Sequence, residues 1–136
     1  MSRSTIFDLW KTKEGAGPIK NNKQCVLIVD DDGVTRFYLR RVFTAKGHHA
    51  VAVSAEQEAV ATLQQHHFDL ALLDIQLEEM SDGIALAQKI RALWPNLKIA
   101  LMSGDPLNFV KAEDAGFKSL FLKPVLFSDI ESLLPS

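Results

Sequence analysis

At 136 residues, with 47% apolar and 24% charged side chains, the chain has the size and composition of one globular domain able to bury a core. A net charge of −2 speaks against a nucleic-acid or membrane-surface binder, and no apolar run nears the roughly 20 residues of a membrane helix. The lone Cys25 cannot close an internal disulfide and the amino terminus lacks a signal-peptide core, so a reducing, cytoplasmic location is expected.

Residues 1–23 read as an extension or linker. Ser4 or Thr5 can cap a short helix with Ile6, Leu9 and Trp10 on one face, and the stretch Lys13-Glu14-Gly15-Ala16-Gly17-Pro18 ends it. A turn or two is unstable alone, which leaves it either frayed or docked through Phe7 and Trp10.

Residues 24–136 form the domain proper. Cys25-Val26-Leu27-Ile28-Val29 is a β-branched, fully apolar run that stops on Asp30, Asp31 and Asp32, the pattern of a strand covered on both faces. A helix from about Gly33 to Lys46 follows, with Val34, Phe37, Tyr38, Arg41 and Val42 near one face and Gly47 as its stop. Ala50–Val53 is a second strand, and Ser54 caps a helix to about Gln65, with Gln57 completing a capping box. Phe68–Leu73 is a third strand ending on Asp74; after the loop Ile75–Ser81 a helix spans about Asp82–Trp94 and closes at Pro95. Leu97–Met102 leads to Ser103-Gly104, a short helix follows Pro106, Lys118–Leu122 leads to Lys123-Pro124, and Ser128–Leu134 is the last helix.

Strands and helices in strict alternation predict an α/β doubly wound five-stranded parallel sheet between two helical layers. Right-handed crossovers and short loops favour the order 2-1-3-4-5. Function in such sheets gathers at the carboxyl ends of the strands, where Asp30, Asp31 and Asp32, then Asp74, Ser103 and Lys123, all fall.

Three consecutive carboxylates repel one another unless a cation or proton lies among them. An all-oxygen donor set suits a hard divalent ion, Mg²⁺ rather than zinc, and His48-His49 and His66-His67 lie at the opposite strand ends as exposed loop histidines. A carboxylate beside such a metal, faced by an ammonium and a hydroxyl, is a phosphoryl site: the cations neutralise the equatorial oxygens while a carboxylate oxygen attacks in line.

Ile28-Val29-Asp30-Asp31, then Leu72-Leu73-Asp74-Ile75-Gln76-Leu77 with Asp82-Gly83, then Leu101-Met102-Ser103-Gly104, then Ala115-Gly116-Phe117 and Phe121-Leu122-Lys123-Pro124, resemble the CheY-like receiver domains of two-component response regulators. The resemblance covers about residues 24–134. It implies a flavodoxin-like fold and a phosphorelay function, with Asp74 taking a phosphoryl group from a histidine kinase or histidine phosphotransfer protein. Mg²⁺ would be held by Asp30, Asp31, Asp74 and the backbone carbonyl of Gln76, while Ser103 and Lys123 bind phosphoryl oxygens. The Lys123-Pro124 bond is expected in cis, and Gln76 and Asp105 match positions that tune autodephosphorylation. Phosphorylation would draw Ser103 inward and repack the surface around the fourth and fifth strands.

Some positions depart from the family pattern. The loop from Asp74 to Gly83 is one residue longer than usual, Glu78 replaces a common Pro, and Leu120 stands where an aromatic switch residue is common. Gly116-Phe117-Lys118-Ser119 lacks the acidic run of regulators that dimerise through this face to bind DNA. A stand-alone monomer or weak dimer acting through protein contacts, without nucleic acid or membrane, is expected; the alternatives are a phosphate sink or relay, or a fragment of a hybrid kinase whose linker survives as residues 1–23. No enzyme activity beyond self-phosphorylation and autodephosphorylation is implied.

Two rival readings remain. Asp30-Asp31-Asp32-Gly33-Val34-Thr35 also looks like the first motif of haloacid-dehalogenase-type phosphatases, with Asp30 as nucleophile and Asp32 as general acid. The other is a receiver fold used as an unphosphorylated binding module.

Overall fold

The computed structural model describes residues 23–77 and 82–135; the expectations placed on residues 1–22 and on Glu78 lie outside them. The elements alternate as read: β1 (Cys25–Val29), α1 (Gly33–Ala45), β2 (His49–Val53), α2 (Glu56–Gln65), β3 (Leu70–Asp74), α3 (Gly83–Leu93), β4 (Lys98–Ser103), α4 (Asn108–Asp114), β5 (Leu120–Leu122), α5 (Phe127–Ile130) and a closing 3₁₀ turn, Glu131–Leu133. All strands pair in parallel, in the order β2-β1-β3-β4-β5. Between β1 and β3 the chain reverses its direction of winding, which opens a crevice at their carboxyl ends.

The period-2 alternation of the strands divides the core into two layers. Leu27, Val29, Ala71, Leu73 and Leu101 point to one face, against Ala59 and Leu63 of α2, Leu86, Ala87 and Ile90 of α3 and Ala112 of α4. Val26, Ile28, Leu70, Leu72, Ala100 and Met102 point to the other, against Leu39 and Phe43 of α1 and Ile130 of α5. Because both faces are covered, β1 and β3 read as unbroken apolar runs.

The phase of α1 differs from the expected one. Leu39 and Phe43 are the buried residues, while Val34, Phe37 and Tyr38 are exposed, Val34 by 75%. The helix carries apolar residues on more than one face, so spacing alone allowed two phases; Phe43 turns into the layer that holds Met102 and Ile130, its ring edge-on to Phe127.

Chain ends of the helices follow local chemistry. Asp32 caps α1, its carboxylate accepting from the Thr35 amide (3.1 Å) and hydroxyl (2.6 Å). Gly47, just past the helix, takes φ 91°, the left-handed conformation glycine adopts without strain. At α2 the expected Ser54 cap and Gln57 box do not form: Ala55 is the N-cap residue and makes no side-chain cap hydrogen bond, while Glu58 accepts from the Ser54 amide and hydroxyl at 3.0 and 2.9 Å. Asp82 caps α3 through the Ile84 amide at 2.9 Å.

At the amino ends of the strands, His48 is half-buried rather than exposed, and its Nδ1 accepts from the Gln24 amide at 3.0 Å. Burial lowers its pKa, so it stays neutral. Cys25 is half-buried, with its thiol pKa pushed up by burial and by Asp69. No helix among the described residues is long and apolar enough to cross a membrane.

Candidate functional site

Asp30 directly follows β1 and is fully buried. Its Oδ1 accepts from the Asp32 amide at 2.8 Å, and its Oδ2 lies 2.8 Å from Lys123 Nζ. Proximity to the ammonium does not amount to a well-directed hydrogen bond: Oδ2 is a buried carboxylate oxygen without one. A sequence limited to strands and caps gives no reason to bury such an oxygen.

Asp74 is the last residue of β3 and is buried. The Gln76 amide donates to Oδ1 at 3.0 Å and Lys123 Nζ to Oδ2 at 3.2 Å. Burial, followed by the negative charge of Asp30, pushes the Asp74 pKa up to about 6; Lys123 and the Gln76 amide oppose the rise. For Lys123, burial acts downward but contact with Asp30 and Asp74 outweighs it, so its pKa is raised and it remains an ammonium.

Asp31 completes the group from the exposed side: one carboxylate oxygen each of Asp30, Asp31 and Asp74 lies within 4.8 Å of the others. Three carboxylates against one ammonium leave two negative charges uncompensated, the charge a single divalent ion neutralises. Oxygen donors, a buried oxygen without a directed partner and this charge balance all fit a hard cation that keeps part of its water shell.

The loop after Asp74 is held close. Gln76 bridges to Asp82, and the Gly83 amide donates to the Ile75 carbonyl at 2.9 Å. A side chain at Gly83 would collide with the backbone of Asp74 and Ile75, so this helix start must be glycine.

Ser103 ends β4 and is buried, but its hydroxyl contacts neither Asp74 nor Lys123. It donates to the Asp105 carbonyl at 3.0 Å and accepts from the Asp105 amide (3.0 Å) and Asn108 Nδ2 (2.9 Å). The strand ends themselves are linked, for the Lys123 amide donates to the Ser103 carbonyl at 2.9 Å. Lys123-Pro124 is a cis peptide, as expected. Asp32 is engaged in the α1 cap by the Thr35 amide and hydroxyl, which leaves the phosphatase reading without the free acid it assigns there.

Two residues of the site escaped the sequence reading. Arg36 Nη1 donates to the Asp30 carbonyl at 2.8 Å, fastening the loop that carries Asp31, and Asn108 reaches Ser103. Each lies on the first turn of a helix that follows a strand-end acid or hydroxyl, a position whose contacts depend on helix phase.

Residues 26–134 match the family described as response regulator receiver domain. Transcriptional regulatory protein ZraR of Salmonella typhimurium is 31% identical over 111 residues, covering 80% of this chain and 25% of ZraR. The autoinducer 1 sensor kinase/phosphatase LuxN of Vibrio harveyi is 29% identical over 111 residues, covering 76% of this chain and 13% of LuxN. The chain thus spans a quarter or less of the length of these relatives. A CheY-like receiver domain protein from Methanospirillum hungatei superposes with a TM-score of 0.73 at 27% identity, over 82% of this chain and 90% of that one. Carboxylates, ammonium and hydroxyl stand at the strand ends where that fold gathers its chemistry, and the chain belongs to the response regulator receiver domain family, the phosphoacceptor module of two-component signalling.

Proposed function

We propose that this domain accepts a phosphoryl group on Asp74 from the phosphohistidine of a histidine kinase or histidine phosphotransfer protein. The observation that carries the reading is the convergence of Asp74 with Asp30, Asp31 and Lys123 at one sheet edge. Asp30, Asp31, Asp74 and the backbone carbonyl of Gln76 would hold Mg²⁺, which when bound supplies positive charge to the phosphoryl oxygens.

This chain's own residues do the rest. A carboxylate oxygen of Asp74 attacks phosphorus, the phosphorus–nitrogen bond of the donor breaks, and the departing imidazole takes up a proton from solvent. The product is an acyl phosphate on Asp74. Lys123 then neutralises one phosphoryl oxygen and the Ser103 hydroxyl donates to another, while Gln76 and Asp105 govern access of the water that hydrolyses the acyl phosphate.

The phosphodonor has a surface to approach. Beside Lys123 a cleft of about 270 Å³ is lined by Thr35, Tyr38, Leu39, Lys123, Pro124 and Val125, and Val34 and Phe37 stand exposed on the same helix. The output surface is the other side of the site, where Leu107, Val110 and Leu122 are exposed around α4 and β5. The domain acts there by protein contact, as a monomer or weak dimer in the cytoplasm.

Magnesium with beryllofluoride, a stable phosphoryl mimic, tests the reading in solution. Amide resonances of Ser103, Lys123 and the first turn of α4 are expected to shift on its addition. No shift at Ser103 or Lys123 would favour the unphosphorylated binding module instead.

A further inference from the structure

The Ser103 hydroxyl has no spare hydrogen-bonding capacity. A hydroxyl offers one proton and two lone pairs, and here the proton goes to the Asp105 carbonyl while the lone pairs take the Asp105 amide and Asn108 Nδ2. Two of these bonds are local, made to a residue two positions on, and the one donated to the Asp105 carbonyl gives up the hydroxyl's only proton when that proton turns to a phosphoryl oxygen. The third comes from a separate element, because Asn108 is the first residue of α4. The Asn108 amide donates to the hydroxyl oxygen at 2.9 Å, a bond lost once that oxygen moves out of reach of Nδ2.

We propose that Asn108 is a positioning residue that holds the Ser103 hydroxyl away from the phosphoryl position, so that recruiting Ser103 breaks the Asn108 Nδ2 to Ser103 Oγ bond and releases the first turn of α4. The inference rests on the reading of Ser103 as a phosphoryl ligand. A bond made in only one of two states biases the equilibrium toward that state and lowers the apparent affinity of a ligand selecting the other. The helix at the far end of this bond is poised to respond. It has seven residues, Ala112 is its one buried side chain, and Val110 faces solvent. Among the described residues the side-chain hydrogen bond from Ser103 to α4 is the one to Asn108.

The test is a cycle on the whole chain, with magnesium beryllofluoride as probe and its apparent Kd read by amide resonance titration. Asn108→Ala is expected to tighten binding by about fivefold, the factor one net side-chain hydrogen bond is worth. Asn108→Leu, which keeps the bulk and lacks the donor, is expected to do the same and stands in if the alanine variant fails to fold. Ser103→Ala alone is expected to weaken binding, and in that background either change at Asn108 is expected to have no further effect. Unchanged or weakened binding in the Asn108 variants, or the same tightening when Ser103 is already alanine, overturns the proposal. If Ser103→Ala alone leaves binding unchanged, the assignment of Ser103 as phosphoryl ligand fails, and that result is distinct from failure of the Asn108 contact.

Discussion

Lys123 Nζ lies 3.2 Å from Asp74 Oδ2, having reached past β4 from the end of β5 to the end of β3. The same nitrogen is 2.8 Å from Asp30 Oδ2, so one ammonium serves two buried carboxylates. A divalent cation among the three carboxylates would therefore lie beside this ammonium and compete with it for the oxygens of Asp30 and Asp74.

That competition is measurable. Lys123→Met is expected to bind Mg²⁺ more tightly than the native chain, read as a lower Kd by calorimetry, because a positive charge beside the metal donors is gone. The metal-free variant is expected to lose roughly 3 kcal/mol of stability in urea, since Asp30 is left buried and uncompensated. Added Mg²⁺ should restore part of that loss. Weaker Mg²⁺ binding would contradict the charge balance described for the site.

The raised pKa of Asp74 has a consequence for stability. A carboxyl that titrates near 3.8 in the unfolded chain and at about 6 in the metal-free fold holds its proton more firmly when folded. Its contribution is thus fully present below about 3.8, and stability is lost as pH rises toward 6 and levels off above it. Asp74→Asn is expected to stabilise the metal-free protein near neutral pH by about 1 kcal/mol after solvent screening, with no gain at acid pH. Thermal midpoints across that pH range check both the sign and the window.

Gly83→Ala is expected to destabilise the fold by about 3 kcal/mol, although alanine is the better helix former, because its Cβ meets the backbone of Asp74 and Ile75 rather than a movable side chain. Equilibrium urea unfolding measures the loss. A neutral or stabilising result would mean that the loop after β3 yields easily.

Asp32→Ala removes the α1 cap and is expected to lower the thermal midpoint while leaving the rate of phosphorylation by acetyl phosphate unchanged. Loss of that rate would return Asp32 to an acid–base role, as the phosphatase reading had it.

Much of this architecture was legible in the residues because the two strongest signals coincide. Unbroken apolar runs ending on Asp30 and Asp74 mark central strands, and the same acids mark the site. What could not be read depends on rotation about a helix axis. Val34, Phe37 and Tyr38 look as apolar as Leu39 and Phe43, and the sheet's packing decides which pair turns inward. The contacts of Arg36 with the Asp30 carbonyl and of Asn108 with Ser103 were invisible for the same reason. At α2 the helix starts one residue later than expected, with Ala55 rather than Ser54 at the cap, so Ser54 meets Glu58 instead of Gln57.

The central claim is that Asp74, and not the more conspicuous Asp30, is the residue that reacts. Incubation with acetyl phosphate and Mg²⁺, reduction of the acyl phosphate with borohydride and peptide mass mapping tests it most directly. Homoserine is predicted at position 74, with none formed in Asp74→Asn. Modification at position 30, or modification that survives Asp74→Asn at the native rate, would contradict the account.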